Sequence, residues 1–340
     1  MKICSLVVLL LIFSIFLVSF PHIKEVKAQN NIVYIRADGT VEGTDKIQRS
    51  GNVYVFADNI NGSIIVEKNN VAIDGANYFL QGDGSESGIR LYDDSTGITI
   101  RNLRIMNFGV GIVLSNASYT TIDTNIIVDN SEGIRITGGF NNKIIGNTIA
   151  NNSENGVGVW FNTRYNNISA NLIKNNWCGV FFHLYCADNI LFENSITSNN
   201  GMGIYSDGGS NNRIIRNNIT HNEKGIFITA MKNATIYNNN FVENSVHVEI
   251  FGNDPVTGNW DNGSQGNYWN DYTGADNNGD GIGDSSYGIT GNIRDNYPLI
   301  EPQIIPEFSS TTILALLLST VLGVLIYRKK LVKSSKKIIN

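Results

Sequence analysis

The fold is decided by residues 122–167, which contain one pattern twice: IDTNIIVDNSEGIRITGGFNNK at 122–143 and IIGNTIANNSENGVGVWFNTRYNN at 144–167. Each copy has short apolar runs separated by asparagines, with a glycine before the last run. The runs are rich in isoleucine and valine and alternate with polar residues, which is typical of half-buried strands. Helices are excluded because glycine or paired asparagines interrupt every run within a few residues.

The pattern recurs on both sides of this stretch with a nearly constant period. The first isoleucines of the apolar triplets are 24, 22, 24, 22, 24 and 22 residues apart, with a mean of 23. These residues are Ile98, Ile122, Ile144, Ile168, Ile190, Ile214 and Ile236. A glycine before another apolar pair repeats in the same way, at Gly111, Gly133, Gly156, Gly179, Gly203 and Gly225. A fixed period of this length indicates stacked supersecondary units.

A coil of about 23 residues with three short strands predicts an all-β fold, a right-handed single-stranded parallel β-helix whose coils stack roughly 4.8 Å apart. Leucine-rich repeats share the period, but they need regularly spaced leucines and a helical stretch, which are missing here. Asparagines between the apolar runs, such as Asn125, Asn171 and Asn217, tolerate the left-handed conformation of tight turns. Stacked asparagines are also expected to bond to the coils above and below.

The two ends of the chain predict export and anchoring. Lys2 precedes an apolar run from Leu6 to Phe20, and Ala28 ends a segment suited to signal-peptidase cleavage. An uncleaved signal anchor is the alternative because the apolar run is long. Residues 311–327 are seventeen residues without a charge, the short limit for crossing a bilayer. Six basic residues follow at once and favour a cytoplasmic tail.

We therefore predict a cell-surface protein with one C-terminal transmembrane α-helix and its N-terminal ectodomain outside. The predicted segments are a signal peptide at 1–28, an N-terminal cap with the first coils at 29–96, regular coils at 97–250, a C-terminal cap at 251–302, a linker at 303–310, the transmembrane helix at 311–327 and a basic cytoplasmic tail at 328–340.

Charge and cysteine content limit the partners. Residues 29–310 carry 16 basic and 29 acidic residues, a net charge of −13. Such a surface repels phosphate backbones, so nucleic acid is excluded as a partner, and acidic glycans would need a bridging cation. Cys178 and Cys186 flank a strand-like run of roughly 26 Å, whereas a disulfide needs Cα atoms about 4.4–6.8 Å apart. We expect two free thiols.

The loop from Asp276 to Asp284, DNNGDGIGD, predicts a structural Ca²⁺ site that clamps the C-terminal cap. Oxygen ligands at alternate positions, with glycines that allow a sharp turn, are typical of such sites. The predicted ligands are Asp276, Asn278, Asp280, the Ile282 carbonyl and Asp284. Tyr287 stands where a complete EF-hand loop has glutamate, and Asp295 is a candidate to complete the set. The alternative is a polar turn without metal.

A second candidate site follows from the alignment of the coils. The first and third residues after each repeat glycine are mostly apolar and are expected to point inward, so the second and fourth face solvent. Neighbouring coils then bring six side chains together: Trp160, Phe181, His183, Tyr205, Asp207 and Phe227. Aromatic rings in a row suit stacking against sugars, and a histidine beside an aspartate is suited to proton transfer. The alternative is that stacked aromatic rings only stabilise the sheet.

The coil pattern N-x-I-x-x-N-x-I-x-x-N with G-I-x-L resembles the parallel β-helix family named after the NosD nitrous-oxide reductase maturation protein. The opening VYIRADG at 33–39, GNYWNDYTGADNNGDGIGD at 266–284, DNYPLIEP at 295–302 and the IPEF element at 305–308 are similar to archaeal surface members of that family. The resemblance implies a link to copper or to carbohydrate. Four histidines without a His-x-His pair, and no methionine cluster, disfavour copper.

The preferred prediction is a surface-anchored protein that binds carbohydrate or takes part in the envelope or in adhesion, without catalysis. The alternative is a carbohydrate-active enzyme, a lyase, epimerase or hydrolase, with His183 and Asp207 as catalytic candidates. Arg135, two coils from His183, is too little for a lyase. Maturation of a copper enzyme ranks third. The IPEF element also resembles a recognition site for archaeal sorting enzymes that would replace the tail with a lipid, and a permanent anchor is the alternative.

Overall fold

A computed structural model describes residues 31–252 and 256–306 of the chain. The predicted signal peptide, transmembrane helix and basic tail lie outside the described residues. Within the described ranges the chain forms strands and turns, and none of it forms a helix that is long and apolar enough to cross a bilayer.

The chain winds into a solenoid of about nine full turns, and its strands form three parallel sheets of ten strands each, called faces A, B and C in the order in which the chain visits them. Face A contains Ile32–Ile35, Ser63–Val66, Ser87–Leu91, Val110–Ser115, Glu132–Thr137, Asn155–Trp160, Cys178–Phe182, Met202–Ser210, the first part of Lys224–Tyr237, and Val246–Ile250. Face B contains Val53–Phe56, Ala72–Asp74, Thr99–Arg101, Thr121–Asp123, Lys143–Ile145, Asn167–Ser169, Ile190–Phe192, Arg213–Ile215, the second part of Lys224–Tyr237, and Val256–Asn259. Face C contains Ile60–Asn61, Phe79–Gln81, Arg104–Met106, Ile126–Val128, Thr148–Ala150, Leu172–Lys174, Ser195–Thr197, Asn218–Thr220, Asn240–Val242 and Tyr268–Trp269.

Antiparallel pieces close the two ends of the solenoid. Val41–Glu42 pairs with the first strand of face A, and Ile47–Ser50 pairs with the first strand of face B. At the other end, Tyr287–Thr290 and Ile293–Asp295 form a hairpin. Covered ends are needed because an open coil would expose unpaired strand edges and apolar core.

The core is one continuous apolar column inside the three faces. On face A the inward residues are the predicted first and third after each glycine, and their stacked members, such as Ile134 over Val157, are fully buried. Each buried isoleucine or leucine stabilises the fold by roughly 1.5–3 kcal/mol relative to an exposed one. The predicted all-β, right-handed parallel β-helix is confirmed.

The predicted register of face B was wrong at two places. The stacked inward residues are Ile100, Ile122, Ile144, Ile168, Leu191, Ile214 and Ile236. Ile98 precedes the strand Thr99–Arg101, and Ile190 occupies an outward position between Asn167 and Arg213. The alternating spacing of 24 and 22 residues results from counting isoleucines alone. In the strand Ile190–Phe192 the inward residue is Leu191, not an isoleucine.

Buried asparagines form three ladders, one at each turn between faces. At the B/C turn, the backbone N–H and the side-chain Nδ2 of each asparagine both donate to Oδ1 of the asparagine one coil on, at 2.9–3.1 Å. The members are Asn125, Asn147, Asn171, Asn194, Asn217, Asn239 and Asn267 at the B/C turn; Asn130, Asn152, Asn176, Asn199, Asn222 and Asn244 at the C/A turn; and Asn142, Asn166, Asn189 and Asn212 at the A/B turn. The predicted bonding between coils is confirmed.

The left-handed backbone falls on a different residue from the one predicted. The ladder asparagines themselves have negative φ, whereas the residue before them is left-handed, as at Thr124, Ala170 and Arg216, with φ of 56°, 52° and 55°. The ladder asparagines are therefore needed in the turns for their hydrogen bonds. The left-handed position before each of them accepts several residue types.

The thiols of Cys178 and Cys186 are free and buried, as predicted. Burial raises the pKa of the Cys186 thiol to about 11. Both residues are therefore structural, because a protonated, enclosed thiol is a poor nucleophile.

Candidate functional site

The solvent side of face A carries a run of aromatic rings, here called the aromatic row, that extends over five consecutive coils. Its members are Trp160, Phe181, Tyr205, Phe227 and Phe251, with ring centroids 5.0, 4.8, 5.2 and 6.3 Å apart along the row. The parallel register stacks Phe181, Tyr205 and Phe227 in one outward column. The sequence predicted this column from the residue two places after each glycine.

His183 and Asp207 lie beside the aromatic row. The His183 ring stacks on Trp160 at 5.0 Å and packs edge-on against Phe161 at 4.5 Å. Its Nε2 lies 3.7 Å from Oδ2 of Asp207, and Thr229 donates its hydroxyl to Oδ1 of Asp207 at 2.6 Å. The structure thus brings together all six side chains of the predicted site, and their role in binding stays a prediction.

The surroundings of His183 limit what it can do chemically. Its Nδ1 is enclosed and makes no hydrogen bond with the described residues, while its Nε2 faces Asp207. A general base has to reach a substrate proton directly or through one water. Nε2 is therefore the ring nitrogen that remains to carry a proton, and proton transfer by His183 and Asp207 stays a prediction.

A buried carboxylate lies under one end of the aromatic row. Glu132 is fully buried and accepts hydrogen bonds from Nε of Arg135 at 2.5 Å and from Nε1 of Trp160 at 3.1 Å. Burial raises the pKa of Glu132, and the nearby Arg135 guanidinium and the Trp160 bond counteract part of that effect. The Arg135 guanidinium also lies 5.5 Å from the Trp160 ring centroid. Glu132 therefore fixes Arg135 and Trp160 relative to each other.

The site predicted from the sequence does not include Glu132. This residue precedes the repeat glycine, whereas the predicted outward columns contain only residues that follow the glycine. Arg135 is two coils from His183, which by itself indicates no contact between them. In the structure Trp160 lies between them and contacts both. The sequence does contain a signal for Glu132. It is a charged residue directly before a repeat glycine, at a position that is uncharged in several neighbouring coils.

Gly158 makes the bond between Glu132 and Trp160 possible. It occupies the outward column between Arg135 and Phe181. A Cβ at this position would overlap Oε1 of Glu132 and Nε1 of Trp160. The missing side chain leaves the space through which the two groups meet.

Two further exposed rings, Phe161 and Tyr185, lie beside the aromatic row. Phe161 is 45 % exposed and Tyr185 is 66 % exposed; within the row the last member, Phe251, is 64 % exposed, whereas Phe181 in the middle is only 7 % exposed. The aromatic row is thus a shallow floor, with more exposed rings at its end and along the A/B turn. Column counting missed Phe161 and Tyr185 because they lie in the turn after the strand.

The opposite end of the aromatic row carries a charged pair. Nζ of Lys224 lies 4.5 Å from the Phe227 ring centroid and 3.1 Å from a carboxylate oxygen of Glu249. The aromatic row is therefore apolar in its middle and polar at both ends.

Glu132 and Asp207 are too far apart to form the carboxylate pair of the usual mechanism of sugar hydrolysis. The backbones of Glu132 and Asp207 are three coils apart, about 14 Å at the spacing of neighbouring strands. Retaining and inverting glycosidases need carboxyl groups about 5–5.5 or 6.5–9.5 Å apart. The arrangement is suited to contact with a long ligand.

The predicted Ca²⁺ loop folds around hydrogen bonds of its own. The Asp276 carboxylate accepts from the backbone of Gly279 and Gly281, and Asp280 accepts from the backbone of Ile282. Among the described residues, no three histidine, cysteine, aspartate or glutamate side chains come together as a metal site would need. Binding of Ca²⁺ by Asp276, Asn278, Asp280, Ile282 and Asp284 stays a prediction.

Asp295 does not join that loop. Its carboxylate is buried and accepts hydrogen bonds from the backbone N–H of Asn267 at 2.6 Å and from Nε1 of Trp269 at 2.9 Å. Asn267 is the last asparagine of the B/C ladder, so Asp295 ends that ladder. Burial raises the pKa of Asp295, and these hydrogen bonds counteract part of the effect.

Comparison with solved structures finds similar folds in carbohydrate-active proteins. A periplasmic alginate epimerase is 16 % identical with a TM-score of 0.43, and the match covers 57 % of this chain and 51 % of that one, so this chain spans about half of that protein. Tailspike protein 2 of bacteriophage CBA120 is 13 % identical with a TM-score of 0.42, over 64 % of this chain and 41 % of that one. The A-module of the mannuronan C-5 epimerase AlgE4 of Azotobacter vinelandii is 14 % identical with a TM-score of 0.36, over 61 % and 81 %.

The search of curated proteins finds no match to the chain. The family model described as right handed beta helix region matches residues 31–187, 87–241 and 158–297. These overlapping matches cover most of the chain, which therefore belongs to the right-handed β-helix family.

Proposed function

We propose that this protein is displayed at the cell surface and binds a polysaccharide along face A. The observation that carries the proposal is the aromatic row, an unbroken run of ring contacts from Trp160 to Phe251 on the solvent side of one face. Aromatic rings offer flat apolar surfaces, and sugars present flat C–H faces that stack on them. A row that follows the solenoid axis is suited to a chain of sugars rather than to a single one.

The groups around the aromatic row supply the polar contacts that a sugar chain needs. Arg135 lies at one end, Lys224 at the other, and Asp207 along one side. The region from Gln29 to Ser310 has a net charge of −13, which disfavours polyanions. We therefore infer a neutral polysaccharide as the ligand.

A carbohydrate-active enzyme is the second candidate function. The observation in its favour is Glu132, because burial raises the pKa of this carboxyl, which is the direction in which a general acid is tuned. Against it stand the enclosed Nδ1 of His183 and the separation of about three strand spacings between Glu132 and Asp207, roughly 14 Å. Binding without cleavage is therefore the preferred function.

The finer predictions on family and place in the cell belong to the same proposal. Membership of the NosD-type group and display at an archaeal surface are supported by the end motifs and by the apolar and basic segments at 311–340. Maturation of a copper enzyme ranks last. Each histidine in the described part of the chain, His183, His221 and His247, lies beside a carboxylate of the next coil rather than beside another histidine.

The proposal is tested by screening the purified protein for retention on a panel of neutral and acidic polysaccharides, with new chain ends recorded in the same samples. We expect retention on a neutral polysaccharide and at least a tenfold loss of affinity in Trp160→Ala, because about 1.4 kcal/mol of ring contact corresponds to that factor. Trp177→Ala is the matched control, since Trp177 is an exposed tryptophan at the C/A turn, outside the aromatic row.

Retention that is equally weakened by Trp160→Ala and Trp177→Ala would contradict the assignment of the ligand to face A. New chain ends that disappear in Glu132→Gln would establish the enzyme instead. Thermal unfolding of each variant shows whether a loss of binding arises from a loss of fold.

A further inference from the structure

The last described segment of the chain, residues 299–306, lies on the side of the solenoid and is here called the C-terminal strap. Gln303 makes two backbone hydrogen bonds with the Asn240 side chain, as donor to Oδ1 at 2.8 Å and as acceptor from Nδ2 at 2.9 Å. Arg216 donates to the Ile304 carbonyl at 3.2 Å. Ile305 is only 7 % exposed, so the strap is packed on the solenoid up to its last residues.

The strap runs backwards along the solenoid axis. Leu299 pairs with Tyr268 in the last strand of face C. Gln303 contacts Asn240 one coil earlier, and Ile304 contacts Arg216 one coil earlier again. The chain thus turns back at the C-terminal cap and points toward the N-terminal end of the solenoid.

The strap follows the edge between faces B and C. Arg216 is the left-handed residue of a B/C turn, and Asn240 is the first residue of a face C strand. Each coil has three turns, A/B, B/C and C/A, and the B/C turn alone does not border face A. The chain therefore leaves the solenoid from the edge opposite the aromatic row.

The predicted membrane span begins soon after the strap. Five Cα–Cα steps separate Pro306 from Thr311, the first residue of the seventeen-residue uncharged run. Even a fully extended chain covers only about 17 Å in five such steps. A span in that run would hold the B/C edge close to the bilayer.

The B/C edge beyond the strap is suited to that position. In the coils at 144–167 and 168–190 the edge residues are uncharged: Ile145, Gly146, Thr148, Ser169, Ala170 and Leu172. In the next coil Glu193 is neutralised by a 3.0 Å ion pair with Arg216. An uncharged edge approaches lipid headgroups without the repulsion that the acidic remainder of the surface would meet.

We propose that the C-terminal strap fixes the solenoid on its side, with the B/C edge against the lipid surface and face A turned away from the cell. The inference rests on the predicted membrane span, and it gives the proposed polysaccharide site its orientation: the aromatic row is presented to the exterior. The strap acts as a rigid bracket, because a free tether of the same length would let the solenoid rotate.

The test uses the full chain with Cys4→Ser, reconstituted into phosphatidylcholine vesicles that carry a quencher on the lipid headgroup. A fluorophore is attached at Thr137→Cys or at Thr148→Cys, two half-buried threonines eleven residues apart, of which Thr137 lies on face A and Thr148 lies beside the B/C edge. The native Cys178 and Cys186 are fully buried and closed to the label. We expect several-fold stronger quenching at position 148 than at position 137.

A second variant tests the strap itself. A flexible glycine-serine linker of about twenty residues between Glu307 and Phe308 lengthens the tether without changing the anchor. With this linker the two positions should be quenched to a similar extent. A difference that survives the linker would overturn the role of the strap.

Equal quenching at the two positions in the unaltered chain, stronger quenching at position 137, or failure to enter the vesicles would each overturn the proposal. No glycan is present in this experiment. A protein that shows the expected quenching but retains no polysaccharide would therefore contradict the proposed function and leave the orientation intact.

Discussion

Gly158 shows how one missing side chain organises face A. Its outward column contains Arg135 before it and Phe181 after it, yet the position itself holds the carboxylate of Glu132, which reaches Trp160 through the gap. A buried carboxylate that loses a hydrogen bond costs about 1–3 kcal/mol, since water cannot replace the partner. Position 158 thus requires glycine, because the Glu132 carboxylate occupies the space that a side chain would need.

We expect Gly158→Ala to lower the free energy of unfolding by about 1–3 kcal/mol, because the added methyl group displaces Glu132 from Trp160. Urea unfolding followed by circular dichroism measures the change. Gly288→Ala is the matched control, since a Cβ there meets nothing within 4 Å. Equal stability of the two variants would show that the bond between Glu132 and Trp160 contributes nothing.

The residues of the site could be predicted from the sequence only where they follow the period of the strand. Phe181, Tyr205 and Phe227 were found because alternation fixes their direction once the glycines are aligned. Phe161 and Tyr185 lie in turns, where no alternation applies. Glu132 precedes its glycine, and its burial depends on Arg135 and Trp160, which no periodicity reveals.

At the scale of the element, the asparagine ladders hold the turns together. Each ladder side chain both donates and accepts between coils, so the chain of bonds continues as long as asparagine follows asparagine. Asp295 can only accept when ionised, and it receives the last donors from Asn267. A carboxylate is therefore a suitable end for a ladder whose bonds all run in one direction.

We expect Asn171→Ala to destabilise the protein by about 3 kcal/mol or more, because the buried backbone N–H of Asn147 loses its acceptor, and Oδ1 of Asn194 and the Ile144 carbonyl lose the donor Nδ2 of Asn171. Thermal unfolding provides the measurement. Asn200→Ala is the control, since Asn200 is an exposed asparagine beside the ladder member Asn199. Similar melting temperatures for both variants would contradict a stabilising role of the ladder.

The elements themselves could be predicted because a solenoid repeats its strands at a nearly fixed interval. The errors at Ile98 and Ile190 arose because a second apolar residue, Ile100 or Leu191, lies within two positions and occupies the inward column, which composition cannot distinguish. The left-handed residue was misplaced by one position because asparagine occurs at both positions of many turns. Only hydrogen bonds between coils separate the two roles.

At the scale of the whole molecule, each coil contacts only its neighbours, so stability is a sum over coils and their interfaces. Contacts are local along the axis, and the length of the solenoid is not fixed by any closed structure such as a barrel. The antiparallel caps lie at the ends of the solenoid, and the C-terminal strap reaches back only as far as Arg216. The fold therefore sets the width of face A, while the number of coils sets its length.

This separation predicts that a whole coil can be inserted. A second copy of residues 144–167 placed after Asn167 repeats an existing stack, because Ile144 already pairs with Ile168 and Lys143 with Asn167. We expect one cooperative thermal transition at a melting temperature no lower than that of the parent, measured by circular dichroism. Insertion of residues 144–155 alone is the control. Half a coil would shift the strands that follow it, so that face A strands no longer stack on face A strands and the core becomes exposed. If the whole-coil and half-coil insertions unfold at the same reduced temperature, the coils are not independent units, and the additive description of the solenoid is wrong.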